Sequence, residues 1–123
     1  MSINFDDVPR LLRPAVAATL NAVGVTHGHL AVDVVDEAEI RKLNAAHQGK
    51  DEPTDVLSFP MDGTGYIEGP RELGDVVICP EHCDDVKEAA VHGVLHLCGY
   101  DHETDSGEML AKQAEILASL EEE

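Results

Sequence analysis

Three histidines stand out by type and spacing in the run Val91-His92-Gly93-Val94-Leu95-His96-Leu97-Cys98-Gly99-Tyr100-Asp101-His102. On a helix, His92 and His96 lie about 40° apart on one face, with Cβ atoms roughly 5–6 Å apart. Two neutral imidazoles at that spacing can reach one ion at the roughly 2.0–2.1 Å that zinc prefers. If the helix continued, His102 would sit about 15 Å along the axis from His92 at 1.5 Å per residue. To join them the chain must stop and fold back, and Gly99 stands where a left-handed glycine ends a helix at low cost. Three imidazoles on one Zn2+ leave a fourth position for water, the layout of a hydrolytic site rather than a structural one. His92, His96 and His102 are therefore the expected ligands of one zinc ion per chain.

The same spacing resembles the metzincin proteases, whose pattern is His-Glu-x-x-His-x-x-Gly-x-x-His, so the metal site is expected to be zincin-like at the end of a helix. Their general base is the Glu directly after the first His. Gly93 holds that place here, and a metalloprotease becomes the least favoured reading. The nearest alternative acids in the chain are Asp101 and Glu103, with Asp55 and Asp75 able to approach through the fold. Asp101 is the first candidate, either as base or as a partner that orients an imidazole. Cys79, His82 and Cys83 also suggest a second metal cluster; the alternative is that Cys79 ends a buried strand, where a free thiol behaves as a small hydrophobe.

The elements that must position these residues can be read from periodicity. Ile3–Phe5 is expected as a short edge strand, and a helix is expected from about Arg13, after Pro9, to Gly24. His29–Val35 alternates as a strand with Leu30, Val32 and Val34 on one face. Asp36 suits the N-cap of a helix through Ala46 with Ile40 and Leu43 inward, followed by a polar loop 47–53. Val56–Phe59 reads as a strand closed by Pro60, Asp62–Arg71 as a Gly-rich loop, and Gly74–Cys79 as a strand buried on both faces if central. Pro80 is expected to open a helix running to Leu97 or Cys98, and a last helix spans Ser106 to about Leu120. The pattern predicts an α+β fold: a single small domain, 1–123, whose three- to four-stranded mixed sheet packs against helices.

Composition narrows the function classes. The 123 residues carry 25 acidic and 8 basic side chains, a formal charge of −17. That excludes the broad basic surface by which most nucleic-acid binders hold phosphates, and it disfavours an anionic membrane as partner. Hydrophobic residues make up 43%, enough for a core. Aromatics are so few that a base-stacking platform would have to come from Phe5, Phe59, Tyr66 and Tyr100. Three cysteines, an odd number, argue against a disulfide scaffold and for a reducing, cytoplasmic setting.

The run from His92 to His102 resembles the signature of the YbeY-type family, bacterial metal-dependent endoribonucleases of ribosomal RNA maturation. Two segments agree in the same order: Pro53-Thr54-Asp55-Val56-Leu57-Ser58-Phe59-Pro60 and Leu73-Gly74-Asp75-Val76-Val77-Ile78-Cys79-Pro80. The resemblance implies that His92, His96 and His102 bind zinc in a cleft floored by the sheet. It also implies single-stranded ribosomal RNA as substrate, a role in ribosome quality control, and ribosomal proteins or assembly GTPases as partners. In the family an arginine precedes the Pro-Thr-Asp segment, and here Gln48 takes its place. A neutral amide can hydrogen-bond a phosphate but lacks the charged fork, for which Lys50 is a partial substitute. Thr54 and Ser58 are further candidates for substrate contact, beside a structural reading as strand residues. The expected function is a zinc-dependent, single-strand-specific endoribonuclease. The alternative is a non-catalytic zinc-binding ribosome-assembly factor. With so acidic a chain, phosphate affinity must be local, from zinc, Lys50, Arg41 and Arg71, or the protein must work in high salt.

Overall fold

The computed structural model describes residues 2–60, 72–100 and 106–121. In chain order the described strands are β1 (Ser2–Asn4), β2 (His27–Val34), β3 (Val56–Pro60) and β4 (Glu72–Ile78). They form one sheet in the order β1-β2-β4-β3. β1, β2 and β4 run parallel, while β3 pairs antiparallel with β4, Leu57 opposite Val77 and Ser58 opposite Val76. β4 is thus central, and Leu73, Val76, Val77 and Ile78 are all buried, as its nearly unbroken apolar run requires.

Helices cover both faces. α1 (Arg13–Ala22) follows a 3-10 turn at Arg10–Leu12, and Pro14 falls in its first turn, where a missing N–H breaks no helical bond. Its Val16 and Leu20 pack with Leu30, Val32, Val76 and Ile78 and with Ala90 and Val94 of α3 (Val86–Leu97). On the opposite face, α2 (Glu37–Gln48) sets Ile40 against Leu57, Val77 and Cys79. Alternation along β4 therefore sends Val76 and Ile78 to α3 and Val77 and Cys79 to α2. α4 (Glu108–Glu121) docks outside α1 and α3 through Met109 and Ile116, which meet Ala15, Val91 and Leu95. Each fully buried Leu or Ile contributes roughly 1.5–3 kcal/mol. With both sheet faces so filled, a one-residue slip of β4 would exchange the two faces and is strongly disfavoured.

Among the described residues, four helices around a four-stranded mixed sheet make an α+β domain, the expected class. Several local expectations differ: β2 and β4 each begin two residues earlier than expected, and α4 begins two residues later. Pro80 opens only a 3-10 turn, Pro80–His82; Cys83 is extended, and α3 starts at Val86 because the Asp85 carboxylate accepts the Lys87 N–H at 2.9 Å. α2 continues to Gln48, two residues beyond expectation, and stops at Gly49. Val34 is 48% exposed, since β2 outruns the helices that cover Leu30 and Val32. No helix among the described residues is long and apolar enough to cross a membrane.

Candidate metal centre and substrate cleft

α3 is built to approach the sheet closely at one point. A Cβ placed on Gly93 would lie 2.5 Å from Val76 Cγ1 and 3.2 Å from Val56 Cγ2. Val76 is fully buried and β-branched, so it cannot swing aside. The position that carries the general base in metzincins is therefore closed here to any side chain. Gly93 lets α3 lie on β3 and β4, and its carbonyl accepts the Ser58 hydroxyl at 2.9 Å. The neighbouring helix positions, His92 and His96, are consequently carried along the outer side of β3.

The two imidazoles meet as their spacing predicts, with ring centroids 4.8 Å apart and planes at 75°. Both are half-buried and line one open cleft of about 840 Å³. His96 lies in the last turn of α3, where the carbonyl end of the helix favours a cation. Gly99 has φ +96°, the left-handed conformation that stops the helix, and the Tyr100 N–H returns to the Leu95 carbonyl at 3.1 Å. The helix thus stops shortly after His96, at the glycine where the sequence places its end. His102 and Asp101, the third expected ligand and the first candidate base, lie outside the described residues, as do Tyr66, Arg71 and Glu103. Among the described residues no three His, Cys, Asp or Glu side chains converge as a metal cage. The fit to zinc rests on the imidazole pair: two nitrogen donors at helical spacing, half-buried, on one cleft wall.

The opposite wall comes from α2 and the segment after it. Gln48, Lys50, Thr54 and Ser58, all expected at the substrate, line the cleft together with Glu52, Asp55 and Tyr100. Their surroundings differ. Ser58 donates its hydroxyl hydrogen to Gly93, and the Thr54 hydroxyl donates to Asp55 Oδ1 at 3.2 Å. Both hydroxyls serve the fold, while Gln48 and Lys50 are exposed at the cleft. Lys50 is the one cationic side chain among the described lining residues. Arg41 is not part of the cleft lining; it pairs with Asp51 at 2.9 Å.

Sequence reasoning passed over two residues that build this site, Asn44 and Gln113, and named Tyr100 only as one of four aromatics. Asn44, nearly fully buried, donates its side-chain N–H to the Glu52 carbonyl at 2.9 Å and so folds the Lys50 segment back onto α2. A polar residue at a buried helical position just before a glycine stop was the available signal. Tyr100 packs on the Val91–Leu95–Met109 cluster and also lines the cleft. Phe5 packs against the main core and Phe59 against the α2-side cluster, with His47 at 4.8 Å, so Tyr100 alone of these aromatics reaches the cleft among the described residues. Gln113 of α4 contacts His92.

Two expected acids separate. Asp55 reaches the cleft, with its Oδ1 accepting the Val56 N–H at 2.8 Å. Asp75 does not: between Gly74 and Val76 it faces the α2 side of β4, away from α3. Burial, then the charge of Asp33, raise its pKa above the ordinary aspartate value. Asp75 is not among the described residues that line the cleft. The Cys79–His82–Cys83 cluster does not form either. Cys79 is fully buried and Cys83 donates its thiol to the Cys79 carbonyl at 3.1 Å. Burial above all pushes the Cys83 thiol up to about 11.

Fold and cleft together define an α+β protein whose sheet edge, helix-borne imidazole pair and adjoining polar loop enclose one open groove. A family model described as endoribonuclease YbeY matches residues 1–121, and the chain belongs to that family. It is 45% identical over 121 aligned positions to the endoribonuclease YbeY of Alkalilimnicola ehrlichii, covering 86% of this chain and 69% of that one. With the endoribonuclease YbeY of Vesicomyosocius okutanii it shares 40% identity over 134 aligned positions, covering 98% and 89%. The solution structure of TM1509 from Thermotoga maritima is similar in fold, with a TM-score of 0.56 and 29% identity over 93% of this chain and 83% of that one.

Proposed function

We propose that this chain is a zinc-dependent endoribonuclease that cuts single-stranded RNA in ribosomal RNA maturation and ribosome quality control. The observation that carries the proposal is the His92–His96 pair on the wall of a cleft whose opposite side presents Gln48 and Lys50. Family membership supports RNA as the substrate class. His92 and His96, with His102 from the family pattern, would hold the ion. When bound, zinc lowers the pKa of a coordinated water towards roughly 7 and polarises a phosphoryl oxygen. The chain's own residues do the rest. Lys50 draws a backbone phosphate into the cleft, the Gln48 amide hydrogen-bonds it, and the Tyr100 ring offers an adjacent base a stacking surface. Asp55 lines the same cleft and Asp101 follows Tyr100 in the sequence, and either carboxylate would serve as proton acceptor.

A second reading, a zinc-binding ribosome-assembly factor without cleavage, is favoured by the neutral Gln48 where the family carries arginine. Metal analysis paired with cleavage of a single-stranded RNA across a salt series separates the two. The first reading expects one zinc per chain and cleavage that holds or rises with salt, because added ions screen the net charge of −17. One bound zinc with no cleavage at any salt selects the second. A steep fall with salt would show that broad phosphate contacts, not local ones, carry the affinity.

A further inference from the structure

The face of α4 that packs on the domain carries Met109 and Ile116, both buried, at positions four before and three after Gln113. The three therefore form one stripe along the helix, apolar at both ends and amide in the middle. A half-buried polar residue inside such a stripe needs a partner, and Gln113 has one: its Oε1 lies 2.8 Å from His92 Nδ1. An amide oxygen only accepts, so the imidazole nitrogen in this contact must be the donor and carry the hydrogen. With the proton held at Nδ1, the lone pair of the neutral ring lies on Nε2. α4 is itself anchored on α1 and α3, against Ala15, Val91 and Leu95, so the position of the acceptor is set by packing rather than by a flexible side chain alone.

We infer that Gln113 is a positioning residue for metal binding, selecting the Nδ1–H tautomer of His92 and fixing its ring so that Nε2 is the ligating atom. This deepens the zinc reading above and rests on it for the ligand, although the tautomer itself does not depend on zinc. It also assigns α4 a purpose beyond covering the core, because the helix delivers one amide oxygen to the ring. A hydrogen bond from the distal ring nitrogen raises ligand basicity and holds the ring ready, and losing such a partner typically weakens metal affinity roughly 10–100-fold.

The test uses the full chain, wild type and two variants. Gln113→Leu removes the acceptor while keeping similar size and good helix propensity; Gln113→Glu keeps an oxygen acceptor at the same place. In metal-free protein, long-range proton–nitrogen correlation spectra should show His92 of the wild type and of Gln113→Glu as the Nδ1–H tautomer. Gln113→Leu should move it towards Nε2–H, the form that free imidazole side chains prefer. Competition with a chelator should then show zinc affinity roughly 10–100-fold weaker in Gln113→Leu and restored in Gln113→Glu. Gln113→Leu with the Nδ1–H tautomer and wild-type zinc affinity would overturn the inference, as would a wild type found as Nε2–H. Should Gln113→Leu fail to fold, Gln113→Glu decides alone: loss of the Nδ1–H tautomer there refutes the role, and retention supports it. A wild type that keeps the tautomer but binds no zinc sinks the zinc reading and leaves the tautomer assignment standing.

Discussion

His29 and the His92–His96 pair place the same side chain in two electrostatic settings. On β2, His29 is held between two carboxylates, Nε2 at 2.7 Å from Asp7 and Nδ1 at 2.8 Å from Glu72. The hydrogen bonds to Asp7 and then Glu72 raise its pKa above the ordinary histidine value. The ring ties together the turn after β1, β2 and the start of β4. On α3, His92 meets an amide oxygen and a second imidazole instead. An amide can fix a tautomer without calling for a positive charge. The difference lies in how the rings are engaged: both nitrogens of His29 are taken by carboxylates, whereas Nδ1 of His92 meets one neutral amide oxygen.

The comparison breaks most visibly at the histidines themselves. His96→Ala should abolish both zinc binding and RNA cleavage, whereas His29→Gln should leave both at wild-type level. Zinc stoichiometry and a single-strand cleavage assay on the two variants check this, and zinc-free cleavage by His96→Ala would rule out the hydrolytic mechanism.

Next in size is the seat of α3. Gly93→Ala forces a Cβ into Val76, an overpacking that costs typically 1–3 kcal/mol. The better helix propensity of Ala returns up to about 1 kcal/mol. A net loss of about 1–2 kcal/mol is expected, seen as a lower urea midpoint at unchanged m value. An unchanged midpoint would mean that α3 can lift off the sheet without penalty.

A smaller effect is expected at the cleft rim. Gln48→Arg supplies a charged fork beside Lys50 and should raise cleavage several-fold, read as kcat/KM on one RNA at fixed salt. No gain would show that the departure at this position is neutral.

The smallest effect is a slope. Because the folded His29 pKa is raised, its contribution to stability is complete below pH 6.5 and declines as pH rises through the folded value. Denaturant midpoints of the wild type should therefore fall as the pH rises above 6.5, and His29→Gln should flatten that part of the curve. An unaltered slope would assign the pH dependence to other groups.

Much of the fold was legible because its signals are local. The Asp36 N-cap, confirmed by its bond to the Glu39 N–H, and the stop of α3 at Gly99 depend on a few adjacent residues. The apolar run at the end of β4 implied burial on both faces should the strand be central, and it is an interior strand of the sheet. The start of α3 was misread because Pro80 and Asp85 are both acceptable openings, and local chemistry does not rank them. Packing of Cys79 beneath α2 and the thiol bond of Cys83 to its carbonyl decided for Asp85.

The candidate site divides in the same way. By itself the sequence determined that two imidazoles share a helix face and that the helix ends just after the second, because helical spacing and a left-handed glycine are properties of short segments. It also determined that so acidic a chain has no broad basic surface for phosphates, which leaves local contacts or high salt. Tertiary structure alone decided that Asp75 turns away from the site, since which face of a central strand meets which helix is a matter of packing. It decided that the Ser58 and Thr54 hydroxyls are engaged by Gly93 and Asp55, and that an amide 21 residues distant reaches His92. Those outcomes depend on how α3, β3 and α4 come together, and no pattern within one element carries that information.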